Sequence, residues 1–187
     1  MNDVTIAALD GRVPRIHSSA FIAPGCRIIG DVEIGPDSSI WYNCVIRGDA
    51  NRVVIGARTN VQDGTVIHCD RAKPPRHPDG FPTIIGDDVL IGHMAMVHGC
   101  TIEDRGFVGL GSIVMDGCRI ESDGMLAAGA MLTPGKVIKS REMWMGRPAV
   151  FTRALTDAAL EDMQLGVKGY VLNGQWHKRA LGEQGQG

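Results

Sequence analysis

A six-residue period constrains this chain more than any other feature. Stepping by six from Ile16 lands on Ile22, Ile28, Ile34, Ile40 and Ile46; after three extra residues the series resumes at Ile55, Val61 and Ile67. It returns at Ile85, Ile91 and Val97, drops one residue, and runs from Ile102 through Val108, Val114, Ile120, Leu126 and Leu132 to Ile138. Four residues after these aliphatic positions stand mostly small ones, among them Cys26, Ser38, Cys44, Thr59, Thr65 and Cys118. An offset of four preserves strand parity, so the aliphatic and small residues face one interior while those between them face out. A helix needs apolar residues at alternating steps of three and four and loses phase over a strict six, which excludes helix from residues 16 to 143. Short strands with glycine-bearing corners, as at Ile34-Gly35 and Ile91-Gly92, read instead as a parallel β-helix whose coils hydrogen-bond one to the next.

The repeat resembles the hexapeptide family, which implies a left-handed parallel β-helix of triangular section with three hexads per turn. The pattern assigns residues 1–150 to this solenoid and ends after Pro148. Residues 151–187 are expected to form a helix packed on it: Thr156 precedes Asp157 as a cap, and Leu155, Leu160, Met163 and Val167 recur at helical spacing. Gly166, Gly169 and Gly174 lower its intrinsic propensity, so it is expected to depend on packing against the solenoid and to close the open strand edge of the last coil. The expected fold class is mainly β, a left-handed parallel β-helix with a C-terminal α-helix.

Composition narrows the function. With 19 basic and 21 acidic residues the chain offers no basic footprint for nucleic acid and no polybasic membrane patch. The opening MNDVTIAALDGRVPR has no apolar core of signal-peptide length, and no later run is long enough to span a bilayer, so the reading is a cytoplasmic protein. The five cysteines lack zinc-ribbon or Cys-x-x-Cys spacing and fit reduced thiols; Cys26, Cys44 and Cys118 take the small inward slot as core filling.

The histidines carry the chemistry. His93 and His98 lie five apart, a gap that suits neither helical neighbour spacing and that in a strand separates the imidazoles by roughly 16 Å. Counting hexads gives a different pairing. From Ile67 the next inward positions are Ile85, Ile91 and Val97, with residues 69 to 84 looping out, which is one turn at three hexads per turn. His68 and His98 then share a corner on consecutive coils and can share one ion, while His93 belongs to another corner of the same prism. A third ligand must come from a second molecule, and such a head-to-tail contact closes into a ring, suggesting a homotrimer with a metal at each interface. The count also puts Arg47 one coil before His68 and Gln62 at the corner of His93. Cys69 points to the face opposite His68 and is not expected to ligate. His17, His77 and His177 have no partner pattern. Three imidazoles leave a fourth tetrahedral position for water, whose pKa the metal lowers to about 7.

Arg47-Gly48-Asp49, Asn60-Val61-Gln62-Asp63, His68, Gly92-His93 and His98-Gly99-Cys100 together resemble the signature of the γ-class carbonic anhydrases and their bacterial homologues. The resemblance implies that His68, His93 and His98 bind zinc, or in some members iron or cobalt, across a trimer interface. It implies reversible hydration of carbon dioxide to bicarbonate by metal-bound hydroxide. Gln62 would orient the hydroxide, Asn60 would help place the substrate, and Arg47, Asp49 and Asp63 would form salt links between subunits. Tyr170, in a Gly-Tyr-Val setting, resembles the tyrosine that many members place near the pocket. The loop CDRAKPPRHPDGFP departs from the family: the fully active archetype carries a proton-shuttling glutamate there, and this loop has none, leaving Asp70 and His77 as the groups able to substitute. Two other readings of the same fold are a catalytically weak, metal-binding trimeric scaffold or regulatory protein, and a coenzyme A-dependent acyltransferase or thioesterase.

Overall fold

The computed structural model describes residues 3–184 and shows the left-handed parallel β-helix with its C-terminal helix. The period sets the geometry directly. Ile28, Ile46, Ile67, Val97, Val114 and Leu132 stack in register on one face of the prism. Ile16, Ile34, Ile55, Ile85, Ile102, Ile120 and Ile138 form the second face. Ile22, Ile40, Val61, Ile91, Val108 and Leu126 form the third. Nearly all are fully buried, so each coil contributes roughly 1.5–3 kcal/mol per aliphatic side chain removed from water. The longer strand Val45–Ile55 bends across one corner and serves two faces.

The small inward positions do more than fill space. Ser38, Thr59, Thr65 and Ser112 are buried, and each hydroxyl donates to a carbonyl of the next coil, at 2.6–3.0 Å. Cys26, Cys44 and Cys118 occupy the same slot as buried free thiols, with their Sγ atoms 2.9–3.1 Å from carbonyls of the next coil. Among the described residues no buried side-chain polar atom lacks a partner, as a closely packed interior requires.

One corner carries a charge column that the hydrophobic count does not reveal. Asp37, Arg58, Asp88, Arg105, Asp123 and Arg141 hold the equivalent turn position on successive coils, each with φ between 54° and 64°. Their signs alternate. Arg58 grips Asp88 through two bonds of 2.7 Å, Arg105 grips Asp123 at 2.8 and 3.0 Å, and Arg141 reaches Asp157 in the first turn of the helix. Each pair is half exposed and worth little alone, but a slip of one coil would set like charges against each other.

The end of the prism departs from expectation. The sheet continues past residue 150: Val150–Ala154 turns back antiparallel to Glu142–Met145 and covers the edge of the last coil. The helix Asp157–Gln184 therefore does not close that edge; it runs along the third face, against strands Phe21–Ile22, Ser39–Ile40, Asn60–Val61 and Leu90–Ile91. Thr156 caps it, accepting the Ala159 amide at 3.2 Å. Two of its glycines serve close approach: a Cβ on Gly174 would meet Ser39 Cβ at 3.3 Å, and one on Gly166 would meet Leu90 Cδ1 at 3.3 Å, whereas one on Gly169 would meet nothing within 4 Å. His177, without a partner in sequence, lies against Trp41 and Phe21 and shares a 2.8 Å hydrogen bond with the Tyr42 hydroxyl.

Candidate metal centre

His68 and His98 are register partners on adjacent coils, as the hexad count requires. The loop that follows His68 leaves the prism and returns at Thr83 without disturbing that register. His68 Nδ1 lies 3.0 Å from His98 Nε2, and the remaining ring nitrogens are held by carboxylates: His68 Nε2 by Asp49 at 2.8 Å, His98 Nδ1 by Asp116 at 2.5 Å. An ionised carboxylate accepts and cannot donate, so each imidazole gives its N–H to its aspartate. The two remaining ring nitrogens then face each other across 3.0 Å, a gap that a shared proton or a bound cation can fill. Imidazoles bound tetrahedrally to zinc at about 2.0–2.1 Å place their nitrogens roughly 3.3 Å apart, within a few tenths of an ångström of the observed gap. Carboxylates behind the rings fix tautomer and orientation, as metal-ligating histidines require.

His93 lies at the neighbouring corner with its side chain 45% exposed, and its Nδ1 donates to Asp63 at 2.8 Å. It carries the same carboxylate backing but does not join the other two. Among the described residues of one chain, no group of three His, Cys, Asp or Glu side chains converges to hold a metal.

The other residues singled out by sequence surround these corners. Arg47 pairs with Asp49, which also holds His68. Burial pushes the Asp49 carboxyl up, but the hydrogen bonds from His68 and Arg47 outweigh it and hold the group below the usual carboxylate range. Asn60 and Gln62 are buried, with Gln62 Nε2 donating to Asn60 Oδ1 at 3.0 Å. Tyr170 packs edge-on against Trp41, with ring centroids 5.4 Å apart; burial, then the negative charge of Asp63, raises its phenol above the ordinary tyrosine value. Cys69 is buried and accepts the Asn51 amide, on the side away from His68.

The sequence reading missed Asp116. Extending the hexad count one coil past His98 would have found it, since Val97 pairs with Val114 and Asp116 falls opposite Gly99. Gly99 is needed there: with φ +54°, it leaves the space where a Cβ would meet Asp116 Oδ1 at 2.3 Å. In the loop, Asp70 is paired with Lys73, and His77 packs against Phe81 with ring centroids 4.6 Å apart and planes tilted by 49°.

Comparison with known proteins fits this geometry. Residues 14–48 match the family described as bacterial transferase hexapeptide (six repeats). A carbonic anhydrase of Geobacillus kaustophilus is 41% identical over 174 residues, covering 93% of this chain and 91% of that protein. The chain belongs to the γ-class carbonic anhydrase-like family. Within that family, gamma carbonic anhydrase 2 (mitochondrial) of Arabidopsis thaliana is 42% identical over 92% of this chain, but the chain spans only 62% of that relative's length. A Bacillus cereus crystal structure described as a putative acetyltransferase superposes with a TM-score of 0.89 at 39% identity, covering 95% of this chain and 99% of that one. Among the described residues no helix is long and apolar enough to cross a membrane.

Proposed function

We propose that the chain is a homotrimeric metalloenzyme catalysing the reversible hydration of carbon dioxide to bicarbonate. Each centre is built from His68 and His98 of one subunit and His93 of its neighbour. The observation that carries this reading is the pair of carboxylate-backed imidazole nitrogens facing each other at 3.0 Å, a donor set that fits zinc, iron or cobalt.

The surface beside the histidines supports the shared centre. Next to His93, Met94 is 72% exposed and Leu110 58% exposed, forming an apolar ridge. Met94 has φ 58° at a corner otherwise built from Gly25, Asn43, Gly64, Gly111 and Gly129, so a bulky side chain is kept where the backbone favours glycine or asparagine. Beside His98 lies an apolar groove of about 200 Å³ formed by Met96, Ile113, Val114 and Met115. Seating the ridge of one subunit in the groove of the next brings His93 toward the His68–His98 pair.

A metal held by these histidines would supply a Lewis acid able to bring a water pKa to about 7. Gln62, with one amide hydrogen spent on Asn60, keeps its carbonyl oxygen to accept a hydrogen bond and orient the attacking oxygen. Asn60 and Tyr170 wall the substrate's approach, and Arg47, Asp49 and Asp63 link subunits as well as holding the ligands. Five free, buried cysteines suit a reducing compartment, and we assign the cytoplasm.

Metal analysis and stopped-flow carbon dioxide hydration on one purified sample test the proposal. One metal per subunit with turnover above background is expected. Background rates with zinc, cobalt and anaerobic ferrous iron, in a trimer that melts lower without metal, would instead establish a metal-stabilised scaffold, the reading favoured by a loop without glutamate. Release of thiol from acyl-CoA would favour coenzyme A chemistry, in keeping with the Bacillus cereus neighbour's description.

A further inference from the structure

Thr83 is the first residue of the strand Thr83–Ile85, where the chain re-enters the prism after the excursion that begins beyond His68. It is fully buried. Its hydroxyl donates to the carbonyl of His68 and accepts the amide of Gly99 at 2.9 Å. One side chain thereby ties the backbone of His68 to the residue that follows His98.

The position explains why a hydroxyl is needed. Strands Val66–His68 and Met96–His98 pair only as far as His68 with His98, because the chain then leaves for the loop. Beyond that point the direct backbone link from Gly99 N to His68 O is long, at 3.2 Å. The Thr83 hydroxyl is both donor and acceptor, so it satisfies the carbonyl and the amide together where the ladder ends. An apolar side chain of the same shape would leave both with only that long bond.

We infer that Thr83 is a positioning residue of the metal centre: its hydroxyl sets the height of His68 relative to His98 and so the separation of the two facing nitrogens. This rests on the metal-centre reading given above. Partners that orient metal ligands typically contribute 10–100-fold to affinity.

The test compares Thr83→Val, which keeps the shape and loses the hydroxyl, with Thr83→Ser, which keeps the hydroxyl. Affinities for Zn²⁺ and Co²⁺ are measured by competition with a chromophoric chelator, and the visible spectrum of the Co²⁺ form reports ligand geometry. Thr83→Val is expected to remain trimeric, bind both metals about 10–100-fold more weakly and show a changed Co²⁺ spectrum; Thr83→Ser should stay near wild type in both. If Thr83→Val does not fold, Thr83→Ala takes its place with the same expectation. A hydroxyl-free variant with wild-type affinity and spectrum overturns the inference, as does a Thr83→Ser protein as impaired as Thr83→Val. Wild-type protein that takes up neither metal overturns the metal-centre reading itself, and the inference with it.

Discussion

Asp63 accepts the Nδ1–H of His93 at 2.8 Å, which leaves Nε2 as the ring nitrogen that keeps its lone pair. His68 and His98 face one another at a different corner, so the three histidines of the proposed centre lie at two separate places on one chain.

Subunit mixing follows from that division. His93→Ala and His98→Ala, each prepared alone, should lose metal. Mixed in equal amounts through unfolding and reassembly, they should recover about a quarter of the sites, because a good interface needs intact His68 and His98 on one side and intact His93 on the other. Elemental analysis reads the outcome. Full occupancy in the His93→Ala protein would show that each subunit holds its metal unaided.

The charge column makes a salt-dependent prediction. Arg105→Glu places an acid between Asp88 and Asp123 and should destabilise the protein by about 1 kcal/mol at low ionic strength, a figure kept small by the exposure of the pair. The loss should shrink in 1 M salt, where screening acts over about 3 Å. Thermal melts of Arg105→Glu and Arg105→Gln at both ionic strengths check it; a deficit indifferent to salt would point to packing instead of charge.

The helix glycines divide by what they face. Gly169→Ala meets open space and should stabilise the helix by about 0.5–1 kcal/mol, the usual propensity gain. Gly174→Ala gains the same propensity but pushes against Ser39 and Phe21, and should come out lower than Gly169→Ala by chemical denaturation. Equal gains at both positions would mean that the helix does not sit closely on the third face.

Tyr170 should titrate late. Its folded-state pKa is raised by burial and by Asp63, so the stability it contributes is fully present below about pH 10 and is lost as pH rises through the folded value. Absorbance near 295 nm should show a phenol ionising above the ordinary range in wild type and missing from Tyr170→Phe. Asp63→Asn should bring that ionisation down; an unchanged titration would place Asp63 too far away to act.

Sequence alone determined the solenoid, its coil register and the alignment of His68 with His98. In a repeat, residues that touch on adjacent coils are separated by a fixed count, so periodic burial of isoleucine and valine fixes which side chains stack. Asp116 was legible by the same arithmetic, one coil further on. Tertiary structure alone decided what the period does not reach. The strand Val150–Ala154 took the open edge and sent the helix to the third face, where close approach at Gly166 and Gly174 outweighed their low helix propensity. Thr83 met His68 and Gly99 because an aperiodic loop happens to rejoin the prism there. That Asp49 turns onto His68 and Asp63 onto His93 likewise depends on side-chain direction at the corners, which spacing along the chain does not specify.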